Sequence, residues 1–529
     1  MKNPYYPLTM KDDACPIMLG QSQQHVVAGV QALLVHAGRA CIPAVDNALV
    51  VVLERSRIVG LTLICAATLS ACAVGPDYKV PTTDAGPVFV NANTPEFSVQ
   101  GVDVAWWKLF EDKALIQLVD QTVQHNRDLQ IARANLREAR ALYMDAGLNL
   151  APIVSSHANY TDQKRSAGAM NNLSFAPRDL KLYNIGFDAF WEVDFFGRVR
   201  RNVEASSDEV DAQEASLRDL GVSLIAEVAR NYFELRGLQN QLTTAKKNAE
   251  NQAKTLEITQ VRLENGRGTE LDTSRATAQL DSTLAIIPPL ENGIYQAMHR
   301  LSVLTGQFPG ALTQKLSKSA PLPKIPKTIH IGQPAELLRR RPDIRIAERT
   351  LAAATARIGV ATADLFPRVT FVGTLSLEAS TFSGIGAARS DAYSLGPKIS
   401  WAALDLGHVY ARIKAADARA EASLAQYEQT VLSALEETEN ALVNYNRARI
   451  RRGLLTSAAT ASERAHELAH LRFAEGISDF LTVLDTELRL LQDQDRLAQS
   501  ETATATALVA LYKALGGGWE SNLDAGKTD

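Results

Sequence analysis

Two stretches of this chain, residues 198–264 and 408–474, contain no proline, and glycine only at Gly221, Gly237 and Gly453. Proline removes a backbone donor and clashes with the preceding turn, so its absence over such a length points to uninterrupted helix. At 1.5 Å per residue each stretch would run to roughly 100 Å, far longer than a compact domain needs. In the second stretch, apolar or small residues recur three and four apart at Leu424, Tyr427, Val431, Ala434, Thr438, Ala441 and Tyr445. That stripe reads as a coiled-coil-like seam. A fold that holds such helices is elongated and mainly α.

The two stretches are copies. Tyr183 pairs with Tyr393, Gly186 with Gly396, Trp191 with Trp401, Gly197 with Gly407 and Val199 with Val409, each at an offset of 210 (407 − 197). The same offset relates Arg262 to Arg472, Gly266 to Gly476, Leu271 to Leu481, Leu301 to Leu511 and Gly306 to Gly516. An ungapped register over that span marks an internal duplication. Before the first long stretch, Ile185, Phe187, Ala189, Trp191, Val193 and Phe195 alternate with Gly186, Asp188, Phe190, Glu192 and Asp194. Period two predicts a strand with one apolar and one mostly polar face. "APIVSSHANYTD" (151–162) and "FPRVTFVGTLSLE" (366–378) read as partner strands, joined to their mates by polar loops at 163–181 and 379–391. Sandwich strands alternate in the same way, but aromatic residues on the outward face suit a membrane barrel better.

Each long stretch ends in a glycine turn, "LENGRGTELD" or "FAEGISDFLT". The next helix is expected to start with Thr269 or Ser478 as N-cap, and Thr269 with Asp272 reads as a variant capping box. The returning helix at 269–305 carries Pro288-Pro289 and is expected to be kinked. Being about half as long as its partner, it leaves room for helices at 112–148 in the first copy and 343–363 in the second. The expected organisation is an N-terminal segment at 72–111, a first repeat at 112–306, a Pro-rich linker at 307–341, a second repeat at 342–516 and a tail at 517–529.

All four cysteines, Cys15, Cys41, Cys65 and Cys72, lie near the N-terminus. Arg55 and Arg57 precede an apolar run from Ile58 to Leu69, followed by Leu69-Ser70-Ala71-Cys72. A charged start, a short apolar run and small residues before a cut describe a secretory signal at 51–71. Leu-Ser-Ala-Cys resembles a bacterial lipobox, which makes Cys72 the lipidated first residue of the mature chain. The bland alternative is a short buried helix with an incidental cysteine. Ala73, rather than aspartate, follows the cysteine and points to the outer membrane. Residues 1–50 do not fit a signal, and the expectation is an upstream extension with translation starting near Val51 or Leu53. The net charge of −4 is spread over both signs, so no nucleic-acid partner is expected.

His466-Glu467-Leu468-Ala469-His470 matches the H-E-x-x-H pattern that places two imidazoles on one helix face beside a catalytic carboxylate. A secreted metallohydrolase is therefore one competing reading. The offset maps the motif onto Leu256-Glu257-Ile258-Thr259-Gln260, which carries no ligands, and no third ligand is evident. The motif reads better as a solvated or groove-facing helix patch. An envelope coiled coil without a pore is a third reading, opposed by the amphipathic strands. "RRRPDIR" is basic, yet Pro342 makes it a helix start rather than a phosphate site.

Several segments in order carry a resemblance: "CAVGPDYKVP", "WWKLFEDKALIQLVDQTVQHNRDLQIARANLREAR" (106–140), "GRGTELDTSRATAQL" (266–280), "LLRRRPDIRIAERTLAAATARIGVATADLFP" (337–367) and "GISDFLTVLDTELRL" (476–490). Over 72–520 the chain resembles the TolC-like outer membrane factor family, in its NodT-type, OprM-like lipoprotein branch. The resemblance implies a homotrimer in which each protomer gives four strands to a twelve-stranded outer membrane barrel and its helices to a periplasmic tunnel. It implies a passive exit duct without cofactor or catalysis, working with a periplasmic adaptor and an inner-membrane pump of the RND type. A channel for type I protein secretion is the alternative. The turns carrying Arg262, Leu263, Gly266 and Thr269, and Arg472, Phe473, Gly476, Ile477 and Ser478, are then the tips that meet the adaptor. Asp485 matches a family aspartate that faces the pore axis at its constriction. The family's TolC has a second aspartate three residues earlier, where this chain has Thr482.

Overall fold

The computed structural model describes residues 73–518, apart from 84, 167 and 169–176. The expected extension at 1–50, the signal at 51–71, Cys72 and most of the tail lie outside the described residues. Two helices, α1 (Lys113–His125) and α2 (Arg127–Leu148), lead into strands β1 (Ile153–Lys164) and β2 (Asp179–Val193). The first long helix, α3 (Arg198–Glu264), is followed by α4 (Glu270–Leu284) and α5 (Ile287–Leu304). The second half repeats the plan with α6 (Pro342–Ala363), β3 (Arg368–Ala379), β4 (Asp391–Ser400), α7 (Leu406–Ala474) and α8 (Phe480–Ala514).

The long helices contain 67 and 69 residues, so each runs to about 100 Å. The stripe expected on α7 is its packed side: Tyr427, Val431, Ala434, Thr438, Ala441 and Tyr445 are all buried. The returning helix of the first half breaks at Ala285–Ile286, and the two prolines fall in the first turn of α5, where no intrahelical donor is needed. Helices α2, α4 and α5 pack on α3, while α6 and α8 pack on both α3 and α7. Shorter helices stacked along a long one let the bundle keep its length without requiring every helix to span it.

The main core sits where the short helices meet. Trp106, Trp107, Phe110, Leu115, Phe233, Met298, Leu301, Leu508 and Tyr512 are buried together there. Trp106 stacks on Tyr512 with centroids 5.1 Å apart. Arg341 immediately precedes α6 and donates to Asp343 at 2.7 Å, to Glu437 of α7 at 2.7 Å and to the Ala514 carbonyl at 2.8 Å. The basic run at 339–345 thus ties three helices together, and its proline opens α6.

The four strands form one antiparallel sheet in the order β1-β2-β3-β4. On one face, Ile185 lies opposite Leu377, Phe187 opposite Leu375 and Trp191 opposite Phe371. These side chains are exposed or half-buried, with Phe187 58% and Leu375 62% exposed, so the apolar face is the uncovered one. Trp191 and Trp401, equivalent in the two copies, make the same bond: each indole N–H donates at 3.0 Å to a backbone carbonyl, of Leu150 and Leu365 respectively. The opposite face carries a polar network. His157 lies 2.7 Å from Asp188, Thr374 donates to Asp188 at 2.9 Å, and Asn184 donates to Glu378 at 2.8 Å. This face turns apolar at its foot, where Phe190 lies opposite Ile153 and Val372. There it borders the junction with α3, held by Arg198 donating to Glu192 at 2.8 Å.

The duplication is imperfect at Gly197 and Gly407. Gly197 has φ +80° and is the N-cap of α3, whereas Gly407 lies within α7, whose N-cap is Asp405. The cause is the N-terminal segment, which passes only the first copy. A side chain at Gly197 would meet the Ala73 Cβ at 2.5 Å, and the Val74 N–H donates to the Phe196 carbonyl at 3.1 Å. No helix among the described residues is long and apolar enough to cross a membrane.

Candidate functional site: hairpin tips and the start of α8

Both long helices end alike. Gly266 takes φ +67°, its N–H donates to the Leu263 carbonyl at 2.9 Å, and the Arg267 N–H donates to the Arg262 carbonyl at 2.8 Å. In the second copy Gly476 takes φ +72°, its N–H donates to Phe473 at 3.0 Å, and the Ile477 N–H donates to Arg472 at 2.8 Å. These paired bonds are the Schellman ending, which satisfies the last free carbonyls and needs a residue tolerant of positive φ.

The following helices are capped by Thr269 and by Asp479. Thr269 Oγ1 accepts the Asp272 N–H at 3.3 Å and donates to the Asp272 carboxylate at 2.7 Å. The expectation of Ser478 as the second cap is corrected: Asp479 accepts both the Thr482 N–H at 3.0 Å and the Thr482 hydroxyl at 2.6 Å. The Ser478 hydroxyl is buried without a partner among the described residues. A carboxylate takes two charge-assisted bonds that a serine cannot match. The repeat offset pairs Thr269 with Asp479 (479 − 269 = 210), so the duplication held the answer that residue preference alone missed. The Thr482 hydroxyl, and then its N–H, hold the Asp479 carboxyl below its ordinary range.

The two tips touch. The Arg262 guanidinium lies 4.4 Å from the centroid of the Phe473 ring, and Phe473 lies 5.5 Å from Phe480. Phe480 and Val483 bury against Ala276 of α4 in a small apolar cluster that Phe473 flanks. Arg262 and Phe473 are half-buried, whereas Leu263, Gly266, Thr269, Arg472, Gly476 and Ile477 are exposed.

Asp485 and Thr482 are exposed on one side of α8, and Val483 and Glu487 are buried on the other. The Thr482 hydroxyl is engaged by the Asp479 cap. Glu487 was missed by sequence reasoning. It is 4% exposed, its Oε2 has no partner among the described residues, and burial pushes its carboxyl up to about 7. Its signal was present: Phe480, Val483, Glu487 and Leu490, spaced three, four and three apart, place a carboxylate on the buried stripe.

His466 and His470 stack edge-on at 4.9 Å, and Glu467 accepts from Arg464 at 2.9 Å. Burial, and then the charge of His470, hold the His466 imidazole below its ordinary pKa. Among the described residues no group of three or more His, Cys, Asp or Glu is placed to hold a metal ion.

The profile of the outer membrane efflux protein family matches this chain twice, at residues 118–307 and 334–517. The chain belongs to that family. The two matches end 210 residues apart (517 − 307), which is the offset of the duplication. Among individual relatives, nodulation protein T of Rhizobium leguminosarum bv. trifolii is 30% identical over 464 residues, covering 87% of this chain and 97% of that protein. Outer membrane protein OprJ of Pseudomonas aeruginosa is 30% identical over 465 residues, covering 87% of this chain and 95% of that protein. Among solved structures, the outer-membrane channel OprN is 44% identical with a TM-score of 0.80, covering 85% of this chain and 100% of that one. The fold is that of the trimeric TolC-like channels. The protein is an outer membrane efflux channel that extends into the periplasm, the outer membrane component of a pump with an adaptor and an inner-membrane partner. The uncovered apolar sheet face then meets lipid. The free edges of β1 and β4 meet those of neighbouring protomers, because an open edge in lipid would leave backbone groups unpaired.

Proposed function

We propose that the protein is the passive exit duct of a tripartite system driven by an inner-membrane pump of the RND type. In this reading Cys72 anchors it by lipid, the two glycine tips dock the adaptor, and Asp485 rings the tunnel's closed mouth. The observation that carries the reading is the pair of Schellman-ended tips, borne by helices of about 100 Å at the far end from the amphipathic sheet. Exposed Ile477 and Arg472 on one tip, and Leu263 on the other, give a helical hairpin of an adaptor both apolar and basic contacts.

The anchor is supported at the other end. The chain just after Cys72 is strapped to the foot of the sheet: Arg201 donates to the Val74 carbonyl at 3.2 Å and to Asp77 at 2.6 Å.

The test is Ile477→Trp, which enlarges a side chain 65% exposed at the tip without touching the bonds of the turn. Drug accumulation in an efflux-deficient strain carrying the variant should rise to the level of the empty vector, with trimer and outer membrane levels unchanged. Undiminished efflux by Ile477→Trp and by a matching Leu263→Trp would remove adaptor docking from these tips.

A further inference from the structure

Two turns into α8, a cavity of about 390 Å³ opens between α3, α7 and α8. Two polar groups with no partner among the described residues line it, Glu487 Oε2 of α8 and His466 Nδ1 of α7. The side-chain amide of Gln252 of α3, 2% exposed, likewise has none among the described residues. A buried polar group without a partner is costly and is retained only where something offsets it. The charged groups that also line the cavity are Lys247 from α3, Glu463 and Glu467 with His466 from α7, and Glu501 about four turns farther along α8. Burial by itself makes a negative charge on Glu487 unwelcome. The first-copy equivalent of Glu487 is Thr277 (487 − 210), which is exposed, so the carboxylate belongs to the second hairpin alone.

We propose that Glu487 is a proton-controlled latch: protonated, it lets α8 pack dry against α3 and α7, and ionised, it loosens this seam next to the tips. Tip mobility is thereby coupled to the acidity of the surrounding compartment.

The sign follows from linkage. The Glu487 carboxyl is raised from 4.5 to about 7 in the packed seam. Its contribution is fully present below the ordinary glutamate value and is lost as pH rises through about 7. The His466 imidazole is lowered, so its contribution runs the other way and is lost as pH falls. The two together hold the seam tightest at mildly acidic pH.

Hydrogen exchange of α8 peptides covering residues 480–494, measured on the purified full-length trimer at pH 6 and pH 8, tests the latch. Glu487→Gln keeps shape and His466 but cannot ionise. Dividing the pH 8 to pH 6 ratio of opening in the wild type by that in the variant cancels intrinsic exchange and the His466 contribution. The quotient is expected to be about tenfold for a carboxyl moving between 4.5 and about 7. Glu487→Met, apolar and of similar length, should give the same quotient. A quotient near one with either variant would overturn the proposal.

Discussion

The contact of Arg262 with Phe473 joins the tip of one hairpin to the tip of the other, so a widening of the proposed duct that separates the two hairpins must break it. A guanidinium 4.4 Å from a ring centroid, both residues half-buried, is worth about 0.5–1 kcal/mol. Three protomers opening together would sum this to about 1.5–3 kcal/mol, which is roughly tenfold to a hundredfold in the ratio of open to closed channel. The perturbation is a cycle of Arg262→Gln, Phe473→Leu and the double variant, read as open probability of single trimers in planar bilayers. Each single variant should raise open probability, and the double variant should add little to either. The Schellman bonds use only the backbones of these residues, so the turns themselves survive. Unchanged open probability in both single variants, or fully additive effects, would refute the idea that this contact holds the mouth shut.

Lipidation and selectivity give two more tests. Cys72→Ser should abolish incorporation of radioactive palmitate while leaving trimers intact, because the barrel is a second anchor; a wild-type protein that takes up no label would contradict the lipoprotein reading. Asp485→Ala should reduce cation selectivity and weaken block by multivalent cations, since three carboxylates facing one axis attract cations; if both properties are unchanged, Asp485 does not line the constriction.

Much of this fold was legible because its constraints are one-dimensional. Helix without proline, period-two strands and an offset of 210 need no knowledge of tertiary contacts, and they located the long helices, the apolar sheet face and the glycine turns. What could not be read depends on chains meeting in space. The break with symmetry at Gly197 arises because Ala73 crosses there, more than a hundred residues away in sequence. The Asp479 cap was legible in principle through the repeat, but local preference favours serine and aspartate alike. Glu487 lay in plain view on an apolar stripe, yet a lone carboxylate at helical spacing can equally turn outward. Only the packing of α3 and α7 against α8 shows it buried.

Duplication gives each protomer two hairpins of one design, so the positions where the copies diverge mark where one hairpin does something the other does not. At the tips the copies diverge both in the turn and at the start of the returning helix. Where the first copy has Asp272, Arg275 and Thr277, the second has Thr482, Asp485 and Glu487. In the first, the acidic residue is spent on the Thr269 cap at 2.7 Å. In the second, Asp479 takes over the capping, Thr482 serves it, and the carboxylates move onward to one exposed and one buried position. Equivalent helices would open equally under any load. A hairpin carrying an exposed carboxylate, a buried titratable carboxyl and the aromatic partner of Arg262 is the one whose movement can be separately held and released.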